Sequence, residues 1–247
     1  MYLKGSQELL HSILWTKRHL FGQLKVAELN VLRQVLQPND ICLDIGAHGG
    51  AWAVPLSRLV PDGLVYAFEA LPYYANVLDL TVKILGRKNV VVLNKAVVDK
   101  SRRVKIAYRD NQSRDLKGFT HIARLEDSTG AAVEVEGVIL DSLLETTEDQ
   151  RIRFVKMDIE GAEFLALQGA SKLIQKWRPF FFIELWQKYC ANYGYSISEV
   201  FQFFSEVGYE SFTFSEGLRF VPKEAKDYSG KGDVLFVPQE DRELLRL

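Results

Sequence analysis

The sequence has few cysteines, no excess of charge and no long apolar run. Its 247 residues include only Cys42 and Cys190, which are too few for a disulfide framework and have no metal-ligand spacing. Lys and Arg total 31 against 32 Asp and Glu, so no overall field attracts nucleic acid. No segment approaches the roughly 18 apolar residues of a membrane span, and the first residues do not resemble a signal peptide. These absences predict a cytoplasmic protein without a nucleic-acid partner or a membrane span.

The composition and the hydrophobic pattern favour one globular unit of alternating strands and helices. Hydrophobic residues make up 47% of the chain and charged residues 26%, which excludes disorder as the main state. Patterns typical of buried strands lie at residues 41–45, 64–68, 90–93, 152–157 and 180–184. Helical patterns lie at residues 50–60, 73–86 and 162–176. This alternation predicts an α/β fold with a mostly parallel sheet and helices on both faces.

Other segments break this alternation. Residues 103–108 and 133–138 alternate with period two, which predicts a two-stranded excursion around a long polar loop at 109–131. Ser196 and Glu199 have capping-box spacing and predict a helix that ends at Gly208. The chain then offers two closing strands and one more candidate strand, at residues 209–214, 233–237 and 218–221.

The first 36 residues have the periodicity of helices. Apolar residues recur at helical spacing, and the pattern predicts two helices broken near Gly22. Pro38 ends the second helix. We therefore predict an N-terminal helical extension at 1–36, packed on a main domain at 37–247.

The strongest local motif is a glycine-rich turn. Leu-Asp-Ile-Gly-Ala-His-Gly-Gly at residues 43–50 follows a predicted strand and precedes a predicted helix, as a nucleotide-binding turn requires. Gly46, Gly49 and Gly50 allow the backbone to approach a ligand, and Asp44 offers a carboxylate at the strand end. The G-x-G-x-x-G spacing of dinucleotide sites is absent, and the alternative is a simple tight turn.

Glu69 ends the second predicted strand, in Ala-Phe-Glu at residues 67–69. A carboxylate at this point of an α/β sheet can accept hydrogen bonds from both hydroxyls of a ribose. The alternative is a solvated loop carboxylate.

A third motif, Lys-Met-Asp-Ile-Glu-Gly-Ala-Glu, spans residues 156–163. Its carboxylates Asp158, Glu160 and Glu163 follow a buried strand, where open α/β sheets bind their ligands. Glu184 ends the next strand and is expected at the same edge. These acids could instead cap the following helix. Asp158 and Glu160 also resemble the acidic motif with which many glycosyltransferases hold a metal-bound sugar nucleotide.

In this order, the motifs resemble those of the FkbM family of S-adenosylmethionine-dependent methyltransferases. The three motifs above are joined by Asn-Lys-Ala-Val at 94–97, Leu-Asp-Ser-Leu at 140–143 and Gly-Ala at 169–170. The resemblance covers roughly residues 25–237. It implies a class I methyltransferase fold, a seven-stranded sheet whose last strand is antiparallel, and makes residues 37–247 the methyltransferase domain.

The resemblance also implies where S-adenosylmethionine binds. The residues expected around it are Asp44, Gly46, Ala47, His48 and Gly50 for the methionine part, Glu69 for the ribose, and Asn94 and Ala96 beside the adenine. His48 stands where the family usually has Asn, and Ala70 where it usually has Pro.

Family members mostly methylate hydroxyl groups, which implies O-methylation of a sugar or natural-product acceptor. Asp158 is the first candidate for the base, followed by Glu160, Glu163 and Glu184, and no obligatory metal is predicted. Two alternatives remain at this stage, a metal-dependent glycosyltransferase and a catalytically silent cofactor-binding domain. The partner is expected to be a small-molecule or glycan acceptor, and the sequence leaves the oligomeric state open.

Overall fold

The computed structural model describes residues 2–21, 29–107, 121–122, 132–142, 150–214, 220–228 and 230–245. Its strands are β1 Ile41–Ile45, β2 Leu64–Phe68, β3 Val90–Leu93, β4 Ala96–Val97, β5 Arg102–Ala107, β6 His121–Ile122, β7 Ala132–Val138, β8 Ile152–Met157, β9 Phe180–Trp186, β10 Tyr209–Phe214, β11 Phe220–Pro222 and β12 Lys231–Pro238. Its α-helices are α1 Tyr2–Leu20, α2 Leu29–Val35, α3 Ala53–Leu59, α4 Pro72–Ile84, α5 Glu163–Gln168, α6 Ser171–Trp177, α7 Gln187–Cys190 and α8 Ile197–Glu206.

The main sheet is mostly parallel, as the alternation of strands and helices predicts. Its order is β11-β10-β12-β9-β8-β1-β2-β3. The pairs from β3 through β2, β1 and β8 to β9 are parallel, and β12 lies antiparallel between β9 and β10. The described sheet has eight strands rather than seven, because the short β11 extends its edge by pairing with β10.

Burial of the central strands explains why their sequences are mostly apolar. Every residue of β1 and β8 is buried, because helices cover both faces of the sheet. One core cluster includes Ile45, Val155 and Phe181, and the cluster on the other side includes Cys42, Phe154 and Phe182. The carboxyl ends of these strands therefore meet at one rigid edge.

A second, smaller sheet is built from the segments that break the alternation. β5 and β7 pair antiparallel, which confirms the predicted two-stranded excursion, and β4 and β6 extend it to the order β4-β7-β5-β6. Of the predicted loop at 109–131, the structure describes only β6, so the rest of this prediction lies outside the described residues.

The predicted helix at 162–176 is wrong as a single element. The chain forms α5 and α6 instead, with a break at Gly169. A Cβ at Gly169 would lie 2.4 Å from the backbone oxygen of Val98, so the chain turns where it touches a neighbouring segment. The carboxylate of Asp141 then accepts hydrogen bonds from the backbone N–H groups of Lys172 and Leu173 and caps the new helix.

The N-terminal region forms two helices, and residues 22–28 between them lie outside the described part of the chain. α1 packs along α4, where Thr81 is buried beneath it and donates a hydrogen bond to the Ser12 backbone oxygen, 3.5 Å away. Within the described residues, no helix combines the length and the apolar character needed to cross a bilayer.

Candidate functional site

The glycine-rich turn joins β1 to α3 in a tightly fixed conformation. The backbone N–H groups of Gly46 and Ala47 both donate to the Phe68 oxygen at 2.9 Å, which ties the turn to the end of β2. Gly46 has a φ of +84°, and a Cβ there would lie 1.9 Å from the Asp158 backbone oxygen. Only glycine therefore allows β1 and β8 to bring their ends this close.

Asp44 holds the start of α3. Its Oδ2 accepts a hydrogen bond from the Ala53 N–H at 2.7 Å, and the side chain is buried. Burial raises the pKa of Asp44 to about 7, although the positive charge of Lys156 and the hydrogen bond from Ala53 oppose the rise. Its carboxylate thus stabilises the turn between β1 and α3.

Glu69 lies between two backbone donors. Its Oε2 accepts from the His48 N–H at 2.9 Å and its Oε1 from the Leu71 N–H at 2.8 Å. The side chain is only 6% exposed, so it is not the solvated loop carboxylate of the alternative interpretation. Burial raises the pKa of Glu69 to about 7, against the lowering effect of both hydrogen bonds.

Asn94 acts on the same loop from the end of β3. Its Nδ2 donates to the backbone oxygens of Glu69 and Ala70, both at 2.9 Å. Its side chain thus fixes the segment that carries Glu69, while Ala96 lies on the cavity described below.

His48 adopts a φ of +46° and places its imidazole between aromatic rings. The ring centroid lies 3.9 Å from that of Tyr74 and 5.4 Å from that of Trp15. Burial lowers the pKa of His48 to about 4, with smaller contributions from the charges of Arg18 and His11. At neutral pH, His48 therefore carries no charge and contributes an aromatic ring to the cavity described below.

Asp158 and Glu184 are neighbouring carboxyl groups, because they follow the paired residues Met157 of β8 and Ile183 of β9. Burial holds the pKa of Asp158 well above its usual range, and the nearby carboxylates of Glu184 and Glu160 add to the rise. Burial opposes ionisation of Glu184 as well, yet the hydrogen bond from Asp158 and the charges of Lys156 and Lys231 hold its pKa below the usual value. Burial thus favours the protonated form of Asp158, while the neighbouring lysines favour the ionised form of Glu184.

Charged neighbours complete this cluster. Lys231 Nζ lies 3.3 Å from Glu184 Oε1 and 4.1 Å from the centroid of the Trp186 ring. Burial raises the pKa of Glu160 to about 7, aided by the nearby negative charges of Glu184 and Glu163. Glu160 has a φ of +55°, a left-handed conformation that a non-glycine residue adopts at some cost.

Glu163 faces its own turn. Its Oε1 accepts from the N–H groups of Ile159 and Gly161 at 3.0 and 3.2 Å, and the Tyr195 hydroxyl lies 3.1 Å from Oε2. The side chain is buried and does not line the large cavity. These contacts hold the segment that carries Asp158 and Glu160.

The positive charge of the buried Lys156 offsets part of the negative charge of the nearby acids. Lys156 Nζ lies 3.4 Å from Asp233 Oδ1 and 5.1 Å from the Phe182 ring centroid. Its charge lowers the pKa of Asp44 and of Asp158 against the larger effect of burial. The sequence analysis assigns Lys156 no role, although it is the first residue of the third motif and lies two positions before Asp158. Lys231 gave no such signal, because it lies 73 positions after Asp158.

One cavity of about 420 Å³ lies against these groups. Four of the eight residues expected around the cofactor line it, namely Gly46, His48, Glu69 and Ala96. The other four, Asp44, Ala47, Gly50 and Asn94, are not among its described lining residues. Three of the four candidate catalytic acids line it as well, namely Asp158, Glu160 and Glu184. The rest of the wall consists of Ile45, Phe68, Ala70, Tyr74, Lys95, Val97, Ile106, Ile122, Ile159, Ala162 and Lys231.

The described residues contain no group of three or more His, Cys, Asp or Glu side chains arranged to hold a metal ion. Among the acids near the cavity, Glu184 pairs with Lys231.

A strand-end cavity of this kind in a mostly parallel sheet defines an α/β enzyme that binds its ligands at the carboxyl edge. The model of the methyltransferase FkbM domain matches residues 44–211. The chain therefore belongs to the FkbM methyltransferase family. This match supports S-adenosylmethionine as the cofactor and gives no support to the glycosyltransferase alternative.

Solved structures with related folds include methyltransferase FkbM from Methylobacillus flagellatus, with a TM-score of 0.51 and 15% identity. The match covers 82% of this chain but 44% of that protein, so the chain spans less than half of its length. A SAM-dependent methyltransferase from Aquifex aeolicus matches at 18% identity with a TM-score of 0.40, over 88% of this chain and 95% of that one. No curated protein matches the sequence significantly.

Proposed function

We propose that the chain transfers a methyl group from S-adenosylmethionine to a hydroxyl group of a small-molecule acceptor, a sugar or another natural product. The observation that carries this proposal is the shared cavity. Buried Glu69 and the coupled Asp158–Glu184 pair face the same space of about 420 Å³. The volume is typical of a small-molecule site. When bound, S-adenosylmethionine supplies an activated methyl group there.

The charges of the cavity fit this cofactor. Four carboxyl groups line it, those of Glu69, Asp158, Glu160 and Glu184, against the two cations Lys95 and Lys231. The ionised form of Glu184, with the partly ionised Glu69 and Glu160, can favour a sulfonium cation over the two phosphates of a dinucleotide. The absence of the G-x-G-x-x-G spacing agrees with this preference.

The cofactor-facing residues divide into two groups. Each Glu69 oxygen accepts one backbone hydrogen bond and keeps a lone pair, so the carboxylate can still accept both ribose hydroxyls. Gly46 and His48 are proposed to border the methionine part, and Ala96 the adenine. Asp44, Ala47, Gly50 and Asn94 are proposed to shape this wall from behind.

The Asp158–Glu184 pair is proposed to take the proton of the acceptor hydroxyl. The charges of Lys156 and Lys231 favour the ionised form of Glu184 and burial favours the protonated form of Asp158, so Glu184 is proposed as the proton acceptor and Asp158 as the group that stabilises it. Proton removal of this kind contributes about 10²–10⁴-fold to a rate. Glu163 is proposed to act as a positioning residue for the turn that follows Asp158.

The second sheet is proposed to form the acceptor side of the cavity. Ile106 of β5 and Ile122 of β6 line it together with the acids Asp158, Glu160 and Glu184. The Ile122 N–H donates to the Tyr193 hydroxyl at 3.1 Å, which anchors β6 across the edge of the main sheet. Holding a hydroxyl in line with the methyl group can supply about 7–11 kcal/mol of the barrier.

Calorimetry with S-adenosylmethionine, S-adenosylhomocysteine and NAD tests the cofactor. We expect the first two to bind and NAD not to bind. Binding of NAD alone would overturn the methyltransferase proposal. Methyl transfer from labelled cofactor to a panel of hydroxylated sugars and natural products then tests the acceptor class, with the methylated atom identified by mass spectrometry.

Variants of the coupled pair test the base. We expect Glu184→Gln and Asp158→Asn each to lower turnover by about 10²-fold or more. Binding of S-adenosylhomocysteine should stay within about threefold of wild type, because both changes keep side-chain volume. Asp79→Asn is the matched control, since Asp79 pairs with Lys83 on the exposed face of α4. Wild-type turnover in both pair variants would exclude the pair as the base.

A further inference from the structure

The helix α1 is built with its polar side inward. Ser12, Thr16 and His19 are buried against the main domain. The opposite side exposes apolar residues over several turns, among them Leu9, Leu10, Ile13, Leu14 and Leu20, and Phe21 follows with 74% of its surface exposed. A surface helix normally turns its apolar face to the core. This reversed arrangement indicates that the outer face of α1 serves a ligand rather than the fold.

A cavity of about 500 Å³, which we call the α1 cavity, lies beside this face. Leu14 and Phe21 provide apolar surface on the α1 side, and Lys17 and Arg18 provide charge. His48 and Tyr74 close the other side. The volume is within the range of small-molecule sites, about 300–1,000 Å³.

The charge of the α1 cavity is of one sign. No acidic residue lies among its described lining residues. The one acidic residue in the sequence of α1, Glu8, accepts a hydrogen bond from Asn76 instead. The described ion pairs do not include Lys17 or Arg18, and the Arg18 guanidinium lies 5.0 Å from the centroid of the Trp15 ring.

The position of the helix relative to the main domain is well defined. A Cβ at Gly49 would lie 2.0 Å from the Trp15 ring, and His19 Nε2 lies 3.3 Å from the Gly49 oxygen. α1 therefore rests directly on the glycine-rich turn. His48 and Tyr74, with ring centroids 3.9 Å apart, line both the α1 cavity and the cavity of the proposed active site.

We propose that the α1 cavity binds an anionic amphiphile, an apolar chain or ring that bears a phosphate or carboxylate. The apolar part lies against Leu14 and Phe21, and the anionic group meets Lys17 and Arg18. The complementary charge selects this class of ligand over a second copy of the chain, because a symmetric pairing would bring like charges together. A concave site also suits one small molecule better than a flat lipid surface.

Octyl phosphate, octyl glucoside and inorganic phosphate, each below any micelle concentration, test this site by calorimetry. We expect octyl phosphate to bind one molecule per chain, at least tenfold more tightly than either other probe. The double variant Lys17→Ala with Arg18→Ala should weaken octyl phosphate binding at least tenfold. The control double variant Lys83→Ala with Lys88→Ala removes the same two positive charges at exposed positions, one in α4 and one just after it. It should bind octyl phosphate as tightly as wild type does.

Each contrary outcome overturns the proposal. Equal binding of octyl glucoside would mean unselective apolar adsorption, and unchanged binding by the Lys17 and Arg18 variant would place the ligand elsewhere. If octyl phosphate does not bind while the chain self-associates in sedimentation, the face belongs to a second copy. S-adenosylhomocysteine binding, measured on the same samples, reports on the proposed function and on folding separately.

Discussion

At the scale of single residues, the structure changes how the carboxylates are understood. Glu69 and Glu163 are both buried carboxylates that accept two backbone N–H groups. The donors to Glu163 belong to its own turn, whereas Glu69 joins its own turn to the glycine-rich turn through Leu71 and His48. A solvated loop carboxylate would contribute little to the stability of the free protein. Burial and two hydrogen bonds give Glu69 a larger role, because removing it leaves the backbone N–H groups of His48 and Leu71 without this acceptor.

Replacing Glu69 tests both of its roles. Glu69→Ala should weaken cofactor binding by roughly 10²–10⁴-fold, the value of two charge-assisted hydrogen bonds. It should also destabilise the free protein by about 2–3 kcal/mol, because the N–H groups of His48 and Leu71 lose their acceptor. Calorimetry and thermal unfolding measure the two effects, with exposed Glu224→Ala as the control. Cofactor binding equal to wild type would show that the ribose lies elsewhere.

At the scale of elements, the turn between β1 and α3 sets the shape of the site. Its position depends on how closely β1 and β8 approach at their ends, with the Asp158 N–H donating to the Ile45 oxygen at 3.0 Å. Gly46 lies at this point of contact. Because the other side of the contact is backbone, it has no flexible side chain that could move aside.

Two glycine substitutions separate conformational strain from steric contact. Gly86 follows α4 with a φ of +65°, and a Cβ there would meet nothing within 4 Å, so Gly86→Ala should cost only about 1–2 kcal/mol. Gly46→Ala adds the collision with Asp158 and should cost more than about 4 kcal/mol or prevent folding. Thermal unfolding and soluble yield measure the contrast. Similar melting temperatures for the two variants would disprove the close approach.

At the scale of the whole molecule, several acids with raised pKa values lie together at one sheet edge. A carboxyl group whose pKa is higher in the folded than in the unfolded protein favours folding while it is protonated. It loses that contribution as the pH rises toward its folded pKa. Asp44 and Glu69, both with a pKa of about 7, place this loss between about pH 4 and pH 7. The free protein therefore loses stability toward neutral pH as these two buried carboxyl groups ionise.

Asp44→Asn should make this pH dependence smaller. The amide oxygen can keep the hydrogen bond from Ala53, while the titrating group is gone. We expect the fall in melting temperature between about pH 5 and pH 8 to shrink by several degrees, since the group is worth on the order of a few kcal/mol. Asp62→Asn, at an exposed position, is the control. An unchanged pH profile would show that Asp44 titrates as an ordinary carboxylate.

The sequence by itself determined the order of the core strands along the chain and which motifs follow them. β1, β2, β3 and β8 have the predicted bounds, because each is a mostly apolar run bracketed by turn residues. The break of the predicted helix at Gly169 was not predictable, since it depends on the distant Val98 and Asp141.

Only the tertiary structure decided which motif residues face the cavity. Asp44 lies near the end of β1 and Glu69 follows β2, yet only Glu69 lines the cavity. Asp158 lines it as well, whereas Glu163 does not. The partnership of Glu184 with Lys231, and the contact of α1 with the glycine-rich turn, join segments far apart in the chain. Local sequence periodicity is set by burial within an element, whereas side-chain partners are set by how elements pack, and single-sequence patterns carry no record of that packing.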